Sequence, residues 1–415
     1  MIRSVLMSAF LAAGLAGSAT AETITVCAKG CDYTSINAAI DASSNGDVIQ
    51  LSAETYFEGE KIDTDGKAIT LRGVLSKAGE PASVLDGAGT HRVLICQSGE
   101  TSTTVFQNLV IQNGYKSFAG GGMYNDGSSP TLTNCTFESN STVYGYGGGM
   151  YNSQSSPILT DCTFAGNSAV GVGYGGGMYN GFSSPTLTDC TFTDNTADDK
   201  GGGMYNYASS PTLTNCTFTN NSADKFHGGG MYNDSSSPTL TNCTFSINSA
   251  GEAGGGMGNR ASSPTLTNCT FNSNSADDGG GGMYNYDDSS PTLTDCNFCG
   301  NINPSAGYDS IAGDAINGRS SGNNLLEGCV VGDINFDGDY DEDDIRLGMA
   351  DFGITECTPG DMDGDDDADA ADFALLRNQI GVDNLGCVGS DINGDGEVNG
   401  ADMAFILSWW GVCSP

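Results

Sequence analysis

The chain is poor in cations: 14 Lys and Arg stand against 51 Asp and Glu in 415 residues, a formal net charge of −37. Nucleic-acid binding needs clustered Lys and Arg on phosphates, so that class is excluded. Long-range repulsion makes an anionic polysaccharide an awkward substrate as well. Charge of either sign is scarce, 16% of residues against roughly 25% in an ordinary soluble protein. Long hydrophobic runs are also missing: no segment after the N-terminus reaches the ~18 apolar residues that a membrane span requires. What is there in excess is glycine, 61 residues and about twice the usual share. With 38% hydrophobic residues the chain has enough apolar surface for a core, which argues against wholesale disorder.

Residues 1–21 read as a signal peptide. Arg3 gives the positive start, Val5 to Leu15 is apolar, and Ala19-Thr20-Ala21 is a small-residue cleavage pattern. The mature chain is expected to begin at Glu22, secreted or associated with the cell surface, where its 15 cysteines meet oxidising conditions.

A repeat dominates the middle. Gly-Gly-Gly-Met-Tyr-Asn recurs with Met at 123, 150, 178, 204, 231, 257 and 283, in steps of 27, 28, 26, 27, 26 and 26. Cys keeps the same beat at 135, 162, 190, 216, 243, 269 and 296. Ser-Ser-Pro-Thr-Leu-Thr lies between them, and Phe then Asn follow each Cys. Each unit holds three short extended pieces, around Met-Tyr-Asn, Pro-Thr-Leu-Thr and Cys-Thr-Phe, and has no room for a ten-residue helix. Three strands per ~26-residue turn predict an all-β parallel β-helix, a solenoid with coils stacked at ~4.8 Å. One coil alone buries only Met, Leu, Cys and Phe, at ~1.5–3 kcal/mol for each large side chain. Ordering its backbone costs ~1 kcal/mol or more per residue, so stacking must supply the stability.

Several columns carry distinct expectations. Asn140, Asn167, Asn195, Asn221, Asn248, Asn274 and Asn301 form an all-Asn column suited to a buried amide ladder, because every rung has a donor and an acceptor. The residue before Cys is mixed Asn and Asp (Asn134, Asp161, Asp189, Asn215, Asn242, Asn268, Asp295) and needs only to tolerate a left-handed bend. Stacked Cys side chains point the same way and fit disulfide geometry poorly, so they read as small buried hydrophobes, with Cys299 near enough to engage Cys296. Tyr124, Tyr151, Tyr179, Tyr205, Tyr232 and Tyr284, broken by Gly258, should point outward as an aromatic stripe, either rings stacked on rings or a glycan-stacking platform. Variable loops beside the stripe, with Tyr144, Tyr146, Tyr174 and Phe226-His227, are candidates for recognition.

Upstream, Tyr33 to Ile40 suggests a short amphipathic helix over the open end, and Gly46–Leu51 and Ala68–Gly73 read as strands. Downstream, Gly313–Asn317 reads as a decayed repeat and Asn324–Leu326 as the close of the stack. The opening segment and repeats resemble right-handed β-helix proteins of the pectin-lyase-like superfamily. More narrowly, the alternating Gly-Gly-x-apolar and Phe-x-x-Asn strings of 119–301 resemble polymorphic outer-membrane protein repeats of bacterial adhesins, without the membrane barrel that follows those repeats. The β-helix is expected over 22–328.

The composition breaks after it. Val330 to Pro415 holds 21 acidic and two basic residues. Three loops place oxygen ligands at positions 1, 3, 5, 7 and 12. They are Asp333, Asn335, Asp337, Asp339 and Asp344; Asp361, Asp363, Asp365, Asp367 and Asp372; and Asp391, Asn393, Asp395, Glu397 and Asp402. Alternating oxygens on a tight turn with a carboxylate at position 12 suit calcium. Gly338 and Gly396 fill position 6, whereas the second loop has Asp366 there. An apolar helix pattern follows each loop, so 329–415 is expected as a small α-helical calcium-loop domain. It resembles a dockerin type I domain, which implies a cohesin-like module as partner; three loops depart from the usual two. Cys329, Cys357, Cys387 and Cys413 are candidates for two disulfides whose partners the sequence does not assign.

Catalysis finds little support in the repeats. A lyase needs a base for the sugar proton, and Lys200, Lys225, Arg260 and His227 are expected to form no column or cluster. A hydrolase needs convergent carboxylates, and Asp198-Asp199 and Asp277-Asp278 fall in separate loops. No catalytic residue is assigned. The sequence favours a secreted non-catalytic β-helix for surface adhesion or carbohydrate contact, with a calcium-dependent docking tail. The alternatives are a polysaccharide lyase or glycoside hydrolase using Asp86 and His91-Arg92 in the irregular coils, and a structural surface-layer component.

Overall fold

The computed structural model describes residues 21–303, 307–308, 311–313 and 325–326. Residues 1–20 of the expected signal peptide and the calcium loops, with their helices and cysteines, lie outside the described residues. Within them the chain winds as a parallel β-solenoid of about ten coils, its strands collected in sheets of 20, 10 and 9 members.

Four pieces per coil build these sheets, one more than the sequence suggests. Met-Tyr-Asn strands such as Met204–Tyr207 form the ten-stranded sheet. Thr-Leu-Thr and Thr-Phe pieces such as Thr212–Thr214 and Thr217–Thr219 belong to one sheet, the largest. The piece that periodicity does not show is Ser-Ala, as at Ser222–Ala223, which makes the nine-stranded sheet. Two residues are too few to show an alternation in sequence.

Register is strict. Met178 pairs with Met204, Met204 with Met231, and Phe192 with Phe218, always in parallel. Identical side chains therefore stack. Phe137, Phe164, Phe192, Phe218, Phe245, Phe271 and Phe298 form a continuous row with centroids 4.5–4.7 Å apart and planes within 4°. Met, Leu and Cys line the same buried interior. Cys162, Cys190, Cys216, Cys243 and Cys269 are free and buried. Burial pushes the Cys162 thiol well above its usual range.

The all-Asn column is the buried ladder that its composition predicts. Asn195 Nδ2 donates to Asn221 Oδ1 and to Phe164 O, both at 2.9 Å, while its own Oδ1 accepts from Asn167. The mixed column does hold a left-handed bend, with φ of 54° at Asn215 and 53° at Asp161. A second ladder, not expected from the sequence, runs through the Asn of each Met-Tyr-Asn: it too is buried, and Asn180 donates to Asn206, Asn206 to Asn233. Its ends are visible as a bare Oδ1 on Asn125 and a bare Nδ2 on Asn285, both buried.

The glycine triplet is enforced by backbone contact. A Cβ on Gly202 would meet Ser222 O at 2.3 Å and Gly229 O at 2.5 Å, both main chain, which cannot yield. At the N-terminal end the helix Ile36–Ala42 covers the first coil with Ile36, Ala39 and Ile40, capped by Ser35 and by Glu58, which accepts from the Ile36 amide at 2.7 Å. A disulfide joins Cys27 and Cys31 beside it. At the other end Ile311–Gly313 lies opposite Met283–Asn285, so the expected decayed repeat joins the stack at its first residue, Gly313, and 314–317 lie outside the described residues. Leu325 and Leu326 pair with Asn297 and Phe298 and continue the stack.

Candidate functional site

The outer face of the ten-stranded sheet carries the tyrosine row. Tyr124, Tyr151, Tyr179 and Tyr205 stack at 5.2–5.3 Å with planes within 11°. The rings point out of the solenoid interior, yet their faces are taken up by one another. Tyr205 and Tyr232 are buried outright. What covers them is a second layer from the loop residue four positions before each Met.

That column runs Ala119, Tyr146, Tyr174, Lys200, with His227 next, and its larger side chains reach over the tyrosine of the following coil. Tyr146 lies 4.8 Å from Tyr179, and Tyr174 lies 5.0 Å from Tyr205. The Lys200 ammonium sits 4.6 Å from the Tyr232 ring centre and donates to its hydroxyl at 3.1 Å. Nearer the N-terminus Arg92 takes the same role over Tyr124 at 4.3 Å. Burial pushes the Arg92 guanidinium down to about 10.

Gly258 interrupts the row, and there the regularity fails. A Cβ at 258 would meet Tyr232 Cδ2 at 2.9 Å and His227 Cβ at 3.3 Å. His227 fills the gap: its ring stacks on Tyr232 at 6.0 Å and on Tyr284 at 5.8 Å, taking the place of the absent tyrosine. Tyr286 closes over the same point and shares a hydroxyl–hydroxyl hydrogen bond with Tyr232. Arg260 contacts Asp234 at 3.5 Å and Asp287 at 2.9 Å, and Tyr205 donates to Asp234. Lys200, His227 and Arg260 thus converge, contrary to the expectation that the basic residues form no cluster. Their loops differ in sequence from coil to coil, so only a count of four positions back from Met aligns Lys200 with His227.

The electrostatics follow from burial. Burial first, then the charge of Lys200, pushes His227 down to about 4, so the imidazole is neutral near pH 7. Its Nε2 lies 3.3 Å from Glu252, and Nδ1 is buried and makes no hydrogen bond. Lys200 is lowered by burial, partly offset by Asp234. Burial raises Tyr232 well above its usual range. The cluster therefore holds a neutral base, a half-buried amine and two linked phenols.

Asp86, His91 and Arg92 of the irregular coils lie apart from this cluster. Asp86 accepts from Ala88 N, Gln112 Nε2 and Asn113 Nδ2 at 2.7–2.9 Å. Burial raises its pKa, but these bonds outweigh that and hold the carboxyl below its usual value. It lines an open recess of about 450 Å³ with Phe57, Asn113, Ser139 and Ser141. Arg92 points away from that recess to Ala119 O and Gly120 O, and His91 Nδ1 is 2.9 Å from Thr90 Oγ1. Within the repeats, Lys225 pairs with Asp198 and Asp199.

Aromatics with exposed surface flank the tyrosine row. Phe118 and Tyr144, 70% and 67% exposed, stand on the loop side, and Phe182, 64% exposed, stands on the other side in edge contact with Tyr207. Among the described residues no helix is long and apolar enough to cross a membrane.

The right handed beta helix region family matches residues 89–207, 139–298 and 180–331, more than half of the chain, and the chain belongs to that family. No curated protein matches it. Among solved structures it is similar to pectate lyase Pel9A, at 14% identity and a TM-score of 0.39, covering 67% of this chain and 78% of that one. It is also similar to the A-module of the mannuronan C-5 epimerase AlgE4 of Azotobacter vinelandii, at 14% identity and a TM-score of 0.33, covering 66% and 75%.

Proposed function

We propose that this right-handed β-helix is an exported, non-catalytic rod that contacts neutral carbohydrate through the outer face of its ten-stranded sheet. The observation that supports the reading is the pair of exposed aromatic borders, Phe118 and Tyr144 on one side and Phe182 and Tyr207 on the other, along the stacked tyrosine row. Aromatic rings offer a flat apolar face with little side-chain entropy to lose, which suits the apolar faces of sugar rings. A neutral glycan avoids the repulsion that a chain of −37 imposes on an anionic one. The inner tyrosines then serve as the rigid bed, and sugars meet the borders. We further propose that 329–415 binds calcium and docks a cohesin-like module at the cell surface, on the strength of the three loop spacings alone.

The test is retention on a panel of neutral polysaccharides. Phe118→Ala with Tyr144→Ala should weaken binding at least tenfold, and Ser246→Ala on the opposite sheet should not. Equal retention of all three proteins would remove the face assignment.

A second reading, a sugar-modifying enzyme, is favoured by the neutral His227 among Lys200, Tyr232 and Tyr286. A base that is unprotonated at neutral pH can take a proton without first losing one. In that case turnover of a polysaccharide would vanish in both His227→Ala and Lys200→Ala.

A further inference from the structure

A different face carries a feature that carbohydrate contact does not use. On the outside of the largest sheet, the two outward positions of each Thr-Leu-Thr piece stack into two columns seven coils long. One runs Thr131, Ile158, Thr186, Thr212, Thr239, Thr265, Thr292, and its neighbour holds threonine on every coil from Thr133 to Thr294. Thirteen of the fourteen positions are threonine. Between Thr212 and Thr267 the side chains of both columns are exposed or half-exposed.

Three properties set this array apart from an ordinary polar strand face. It is straight: strands pair in strict register, and the Phe rings on the inner side of the same sheet stay within 2–4° of parallel from coil to coil. It is periodic in two directions, ~4.8 Å along the stack and ~6.6 Å between alternate residues of a strand. It is neutral: from Thr212 to Asn272 every outward residue of this sheet is Thr, Asn or Ser, on a chain of −37. High strand propensity explains threonine in general. It does not explain the choice of one residue where Ser, Gln, Lys or Val would serve a solvated strand, nor a charge-free field in so acidic a protein.

We propose that this threonine face binds ice. A rigid grid of hydroxyls and methyls holds first-layer water at its own two repeats, and the repeat along the stack lies near the a-axis oxygen repeat on the prism face of hexagonal ice. Water ordered in advance on the grid joins the crystal without further loss of freedom, and a charge-free face keeps no tightly held hydration of its own to displace. The contact is to a lattice, so it needs many weak rungs in register rather than a pocket. A solenoid whose coils repeat every 26–28 residues supplies them.

The experiment uses the full-length secreted chain in a nanolitre osmometer and a recrystallisation assay. The intact protein should facet ice crystals, open a gap between melting and freezing, and stop grain growth. Thr214→Lys with Thr241→Lys should abolish all three, and Lys77→Ala in an exposed loop of the first coils should change none. Should the lysine pair fail to fold, Thr214→Val with Thr241→Val keeps the β-branched shape and should at least halve the freezing gap. Round crystals with no gap, or a gap unchanged in both pairs, would overturn the proposal. So would adsorption to crystalline cellulose without any effect on ice. The carbohydrate reading is tested by Phe118 and Tyr144, so the two proposals fail separately.

Discussion

His227 stacks on Tyr284 at 5.8 Å with 25° between the ring planes, in the one place where the repeat has lost its tyrosine. Glycine at 258 and histidine at 227 are thus one substitution spread over two coils: the first vacates a site and the second fills it.

That coupling is measurable. Gly258→Tyr alone should destabilise by about 1–3 kcal/mol, because the new ring competes with His227 for one space. Combined with His227→Ala, the cost should shrink by at least half, and a double-mutant cycle in chemical denaturation reads the difference. Additive effects would mean that the two positions do not share a space.

The imidazole also makes stability depend on pH. A histidine held at about 4 when folded, against an unfolded value near 6.5, binds its proton more readily in the unfolded chain. Its share of stability is present above the unfolded value and is lost as pH falls from about 6.5 towards 4. Melting curves of the wild type should therefore drop more steeply across that window than those of His227→Phe. Parallel curves would contradict the buried neutral imidazole.

Amide ladders make a ranked prediction. Asn221→Asp and Asn206→Asp each remove a buried donor from a saturated run and put a carboxylate in its place, at about 3 kcal/mol or more. Asn215→Asp lies on the exposed bend, where Asp161 and Asp189 already stand, and should cost under about 1 kcal/mol. Urea denaturation distinguishes them, and equal costs would remove the ladder assignment.

The fold is legible in the sequence wherever one residue type repeats at a fixed step. Met, Cys, Phe and Asn221 announce the coil, because a stacked solenoid forces like onto like. The Ser222–Ala223 strand is not legible, since two small residues show no alternation. The second ladder is masked by its neighbour: Asn206 follows a conspicuous tyrosine, and a polar side chain two after Met204 turns inward only because the same amide waits on the next coil. The Gly258 cluster is hidden for another reason. Lys200, His227 and Arg260 come from different coils and different loops, and only the register that places Lys200 over Tyr232 brings them together. Exposed rings such as Phe118 and Phe182 lie outside the repeated columns, so periodicity does not rank them above Tyr179.

The tail makes its own prediction. Calorimetry of the full chain should find two tighter calcium sites and one weaker, the weaker being the loop with Asp366 in place of glycine at position 6. Asp366→Gly should bring the third site level with the others. Three equivalent sites in the wild type would show that the loops are misassigned.

The central claim, contact with neutral carbohydrate without turnover, is tested most directly by affinity electrophoresis of the mature chain in neutral polysaccharide gels, with reducing-end and unsaturated-product analysis of the same mixtures. The account predicts retardation that Phe118→Ala with Tyr144→Ala relieves, and no new ends or double bonds. Product formation that disappears in His227→Ala, with or without retardation, would contradict it.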